Sequence, residues 1–183
     1  SERLSGIQES ATLRLNATVA QMQAQGADVI NLTAGEPDFW ISDPVKEAAI
    51  ASIRANRSRY TAVPGIVPLR EAIAQKTNDQ QTALKERTPW TPQEVCVTNG
   101  GKQALFNSFL SIVNPGDEVV LVAPYWLSYP EMVSLAGGVS KILDAPIDQG
   151  FKITPEQLRR VLGPRVKAIV FNSPSNPTGA TYS

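Results

Sequence analysis

Three short segments of this chain combine residue types that do chemistry, and each follows an apolar run. Thr98-Asn99-Gly100-Gly101-Lys102-Gln103 puts two glycines and a lysine into one turn. Glycine lets a backbone approach a ligand closely, and free amides at a helix start attract anions, so this segment could hold a phosphate. The same residues could equally make a plain tight turn with a solvated lysine. It is not a Walker loop, because Cys96 stands where that pattern needs glycine and no Ser or Thr follows Lys102. Pro124-Tyr125-Trp126 offers an indole that could stack on a flat heteroaromatic ring, or simply fill a core or an interface. Asn172-Ser173-Pro174-Ser175-Asn176-Pro177-Thr178-Gly179 crowds amides, hydroxyls and two prolines into eight residues. An Asn-Pro bond can be cis, which would fix the asparagine amide in an unusual direction; the plainer alternative is a well-capped turn.

The rest of the composition narrows the chemistry. There is no histidine, which removes Ser-His and Cys-His nucleophiles and most zinc sites, and no metal site is expected. Cys96 is the sole cysteine, so no internal disulfide is possible and a reducing compartment suits the chain. Its apolar surroundings point to a small buried core residue. Lys and Arg balance Asp and Glu at 17 each, which leaves no basic field for nucleic acid or an anionic membrane. Apolar runs such as Val119 to Ala123 are strand-sized, far short of a membrane span. The first residues carry no signal-peptide core, and a cytoplasmic location is expected. Three Asn-x-Ser/Thr sequons, at Asn16, Asn31 and Asn56, then read as chance.

The reactive segments need elements to hold them, and the pattern supplies these. Helices are predicted over 11–25, closed by Gly26, over 44–55 with proline in the first turn, and from Leu69 to about Lys76. Val29 to Leu32 is a short β-prone run that empties into Ala34-Gly35-Glu36-Pro37-Asp38-Phe39, and Tyr60 to Pro68 reads as irregular. From Glu94 onward strands (95–98, 118–122, 139–143, 168–171) alternate with helices (103–113, 128–136, 155–162). That alternation predicts an α/β fold with crossover units around a largely parallel sheet. Ligands of such sheets bind beyond the carboxyl ends of the strands, where the three reactive segments fall.

Asn176-Pro177-Thr178-Gly179 after an apolar strand resembles the signature loop of the fold-type I aminotransferases, which use pyridoxal 5'-phosphate. Four further elements match in order: Gly35-Glu36-Pro37-Asp38-Phe39, Tyr60 before Gly65, Gly100-Gly101-Lys102, and Pro124-Tyr125-Trp126. The likeness covers nearly the whole chain and is greatest to the bacterial aspartate aminotransferases that write Gly-Gly-Lys at the phosphate loop. It implies a three-layer αβα large domain, present in its first part over 41–183. Residues 1–40 would be an N-terminal helical segment belonging to the small domain and the substrate-pocket loop.

The resemblance also implies roles. Gly100, Gly101 and Lys102 would hold the cofactor phosphate, Trp126 would stack on the pyridine ring, and the Asn176 amide would meet the ring hydroxyl and the substrate carboxylate. Gly35 would line the substrate pocket. Tyr60 would reach the cofactor phosphate of a partner subunit, which implies a homodimer with shared sites. Lys102 with Ser10 and Thr12 resembles the set that reads a distal carboxylate; a lysine beside two hydroxyls suits that task, though Ser10 and Thr12 could equally cap the first helix. The family's Schiff-base lysine lies beyond the Asn-Pro-Thr-Gly loop, and no lysine here resembles it, so these 183 residues alone are not expected to transaminate. The implied substrates are aspartate or another acidic amino acid with a 2-oxo acid. The alternatives are an aromatic or prephenate aminotransferase, and a non-catalytic ligand-binding domain of the same fold.

Overall fold

The run Glu118 to Ala123 is almost wholly apolar, as a strand buried on both faces should be, and it occupies the middle of the sheet. The computed structural model describes residues 4, 7, 11–33, 35–81 and 88–182. They fall into two compact units, Gln8–Val97 and Thr98–Ser183, the latter joined by Ser1–Ile7.

In the Thr98–Ser183 unit, β1 (Glu118–Ala123) is flanked in parallel by β2 (Val139–Asp144) and β3 (Val166–Val170). The predicted helices between them form as α4 (Gly100–Ile112), α5 (Ser128–Leu135) and α6 (Pro155–Val161). Phe109 of α4 and Val113 just after it, Val119 and Leu121 of β1, and Tyr129, Met132 and Val133 of α5 make one apolar cluster. Strand alternation sends Val120 to the opposite face, and it too is fully buried. The sheet is therefore covered on both sides, the αβα arrangement expected.

At its amino end the sheet is clamped by charge. Glu118 accepts hydrogen bonds from Lys141 of β2 at 3.0 Å and is paired with Arg165, just before β3, at 2.6 Å. The Lys141 bond most of all, then Arg165, holds the Glu118 carboxyl below its ordinary value against the opposing effect of desolvation. A carboxyl lowered in the folded state stabilises above its unfolded value, near 4.3, and that stabilisation fades as pH falls through the folded value. Below about pH 4.3 the urea midpoint of the protein should therefore drop, and Glu118→Gln should flatten that part of the profile. An unchanged slope in the variant would remove Glu118 from the acid response.

The Gln8–Val97 unit contains α1 (Ala11–Ala24), α2 (Asp43–Arg54) and α3 (Val67–Gln80). Among its described residues only Ala74 is buried. Local polar bonds tie its turns: the Asn78 side chain bonds both the N–H and the carbonyl of Trp90, and Thr91 and Glu94 form a capping box. Gly65 has φ +100°, and a Cβ there would stand 2.7 Å from Val97 Cγ2, so only glycine fits at that turn.

Four expectations change. Val29 to Leu32 forms no strand; Asn31 Oδ1 accepts both the N–H and the hydroxyl of Thr33, a local alternative to a ladder. Val95 to Thr98 likewise forms no strand, since no described strand runs beside it and its bonds go to the Pro64 carbonyl and the Arg70 side chain. Cys96, on that segment, is exposed and not buried. Helix α3 runs on to Gln80 because its polar second half is capped by Asn78 and Gln81 contacts.

Candidate functional site

Parallel strands next to each other release their following loops side by side, and β1 and β3 are paired neighbours. The β1 loop carries Pro124-Tyr125-Trp126 and the β3 loop carries Asn172 to Gly179. Between them lies a small cavity lined by Tyr125, Tyr129, Asn172, Ser175, Asn176 and Tyr182, with about 20 Å³ of room, enough for one water. It is a floor beneath the loops, too small for a ring to enter.

The Asn176 loop is built by its own side chains. Asn172 Oδ1 accepts the Asn176 N–H at 2.8 Å, and the Ser175 and Gly179 amides close the turn onto Ala180 and Ser175. Tyr182 packs on Phe171, donates its N–H to Ser173 Oγ and accepts from the Ile153 amide. The Asn176-Pro177 bond is cis, as the sequence suggested, and Ser173-Pro174 and Ala123-Pro124 are cis as well. With its backbone so held, the Asn176 side chain has no partner among the described residues and is exposed.

The Gly100-Gly101-Lys102 turn opens α4 three residues earlier than the pattern predicted. Gly100 has φ +78°, which turns the chain into the helix, and its amide is taken by the Thr98 carbonyl at 2.8 Å. Gln103 Oε1 reaches back to the Asn99 amide at 2.6 Å, and Thr98 Oγ1 bonds the Gly100 carbonyl. The first-turn amides after Gly100 have no intrahelical acceptor and face the positive end of the dipole. A Cβ at Gly100 or Gly101 would meet nothing within 4 Å, so an anion has room there. The Lys102 ammonium sits 5.0 Å from the centre of the Trp126 ring, which brings the turn and the indole together.

Trp126 itself is half-buried against the apolar cluster. Helix-start amides with open space, a cation, an aromatic plane and an unengaged amide therefore gather within one unit. That donor set fits a flat heteroaromatic phosphate such as pyridoxal 5'-phosphate.

The other predicted residues lie elsewhere. Gly35 and Tyr60 belong to the Gln8–Val97 unit; Tyr60 is fully exposed, in an open groove formed with Ser58, Arg59 and Thr61. Ser10 and the Thr12 side chain lie outside the described residues. The sequence reading missed Asn172, Gln103 and Tyr129. Gln103, close behind two glycines at a helix start, carried a signal, since a reach-back amide there is a capping feature.

The family model described as aminotransferase class I and II matches residues 27–183. The aspartate/prephenate aminotransferase of Cereibacter sphaeroides is 48% identical over 183 residues, which are all of this chain and 44% of that protein. Its counterpart in Thermus thermophilus is 47% identical over 182 residues, again the whole chain and 46% of the relative. Among solved structures, aspartate aminotransferase from Thermus thermophilus with maleate superposes with a TM-score of 0.92 at 46% identity. That match covers all of this chain and 47% of that one. Aspartate aminotransferase from Rhizobium meliloti superposes equally well, at 0.92 with 37% identity, over 44% of its length. The chain spans about half the length of the curated relatives it matches. Since the match runs without a break over most of the sequence, from residue 27 to residue 183, the chain belongs to the class I and II aminotransferase family.

Proposed function

We propose that the full-length protein carrying this chain is a cytoplasmic, homodimeric aminotransferase that uses pyridoxal 5'-phosphate. It would move an amino group between aspartate, or another acidic amino acid, and a 2-oxo acid. One observation carries the reading: the Trp126 and Asn176 loops leave neighbouring parallel strands, and Lys102 at the start of α4 stands 5.0 Å from the Trp126 ring. When bound, the cofactor supplies an electron sink for the amine-bearing carbon of the substrate.

This chain's residues bind and orient. Gly100 turns the backbone so that the Gly101 and Lys102 amides meet the phosphate. Trp126 stacks on the ring, and the Asn176 amide donates to the ring hydroxyl and to the substrate carboxylate. Gly35 lines the substrate pocket by its backbone, and Tyr60 serves the partner's phosphate. Residues 1–40 belong to the small domain and pocket loop, and 41–183 begin the cofactor domain. Full-length protein loaded with cofactor should form oxaloacetate and glutamate from aspartate and 2-oxoglutarate; no turnover by the loaded protein would overturn the proposal.

Acidic specificity rests on Lys102 with Ser10 and Thr12, and a relative solved with the dicarboxylate maleate supports it. Lys102→Gln should lower kcat/KM for aspartate by about 10–100-fold, the worth of one hydrogen bond to a charged group, and that for phenylalanine by less than about threefold. Equal losses would assign Lys102 to the cofactor instead. A second reading, prephenate as amino acceptor, is favoured by relatives named aspartate/prephenate aminotransferase. Rates with aspartate, phenylalanine and prephenate separate the two.

A further inference from the structure

We propose that Tyr129 is a positioning residue for the cofactor, acting through Trp126; this rests on the reading that Trp126 stacks on the cofactor ring. The two aromatic planes meet at 86° with centroids 5.4 Å apart, an edge-to-face pair. The members of the pair differ in what holds them. Tyr129 is only 6% exposed and is packed among Phe109, Val113, Val119, Leu121, Met132 and Val133. It stands in the first turn of α5, and its amide donates to the Trp126 carbonyl at 3.0 Å. A shift of its ring would disturb the core of the whole unit.

Trp126 only borders that cluster. It lies in the loop between β1 and α5, half-buried, and its indole N–H has no partner among the described residues. The torsion that sets an indole plane is a broad, soft one, so packing alone decides where the plane lies. Lys102, the other group on the ring, is an exposed and flexible chain with four rotatable carbons and cannot fix a plane. Tyr129 is the rigid neighbour. Its edge sets the tilt of the indole, and a planar ligand stacks best on a shelf already in place.

The test uses full-length protein, with and without cofactor, in four variants. Tyr129→Leu should weaken cofactor binding by about threefold to tenfold in equilibrium dialysis, the worth of an aromatic pair. It should also diminish the circular dichroism induced in the cofactor's absorption band, which reports ring tilt. Tyr129→Phe keeps the ring edge and should hold both readouts within about twofold of the parent. Met132→Ala loosens the same cluster while keeping the tyrosine edge against the indole, and should leave cofactor binding within about twofold while lowering stability. If Met132→Ala weakens binding as much as Tyr129→Leu, the role is general packing and the proposal falls. If Trp126→Leu changes both readouts and Tyr129→Leu changes neither, positioning is refuted while the stacking role stands. If Trp126→Leu changes neither, the stacking role fails and this proposal with it.

Discussion

Truncating Leu121 to alanine is expected to cost about 2–5 kcal/mol of unfolding free energy. Leu121 lies at the middle of β1 with its side chain wholly inaccessible, and it contacts the cluster that joins α4 and α5 to the sheet. Removing its branched end forfeits transfer energy and leaves a cavity that a parallel strand, bonded on both sides, cannot collapse to fill. Against a total of about 5–15 kcal/mol, that is a large share of what keeps such a domain folded. The consequence reaches function, because the Trp126 loop leaves the same strand at Ala123, two residues after Leu121. Urea denaturation of full-length protein, followed by far-ultraviolet circular dichroism, gives the number. A loss below about 1 kcal/mol would mean that β1 is not the fixed centre of the unit.

The sequence made this centre legible because the driving pattern is local. Strand-sized apolar runs alternating with helical ones named every strand and α-helix from Glu118 to Val170 within a few residues, though not the 3-10 turn Ile147–Gln149. Asn114-Pro115-Gly116-Asp117 is a turn-forming run just past α4, and Gly116 takes φ +86° there. Two of the misses share one cause, dependence on distant partners. Val95 to Thr98 has strand composition, yet a strand needs a neighbour, and none of the described residues supplies one. Cys96 was expected to be buried on the strength of the same run and is exposed for the same reason.

Side chains that position others were illegible in a different way. Asn172 is one polar residue in a loop full of them, and only the fold shows that its Oδ1 receives the Asn176 amide. Tyr129 reads as an ordinary core aromatic in a helix, which it also is; its second role needs the 86° angle to Trp126. The start of α4 was missed by three residues because glycine pairs speak against helix, whereas here they buy open space at its first turn.

That open space leads to the sharpest test of the phosphate cradle. Gly101→Pro in the full-length protein is expected to weaken binding of pyridoxal 5'-phosphate by about 10–100-fold, and Gly101→Ala by less than about threefold. The first turn of a helix tolerates proline, because its amides have no intrahelical acceptor to lose. Proline therefore deletes the proposed phosphate donor while sparing the helix, and alanine keeps the donor while adding a methyl that meets nothing within 4 Å. The magnitude follows from one hydrogen bond to a charged oxygen, worth about 1.5–3 kcal/mol. Pyridoxal, which lacks the phosphate, isolates the effect: its affinity should be the same in parent and proline variant. If proline weakens both ligands alike, the helix start has been distorted. If it weakens neither, the amide of Gly101 does not touch the phosphate, and the cradle must be drawn from other donors.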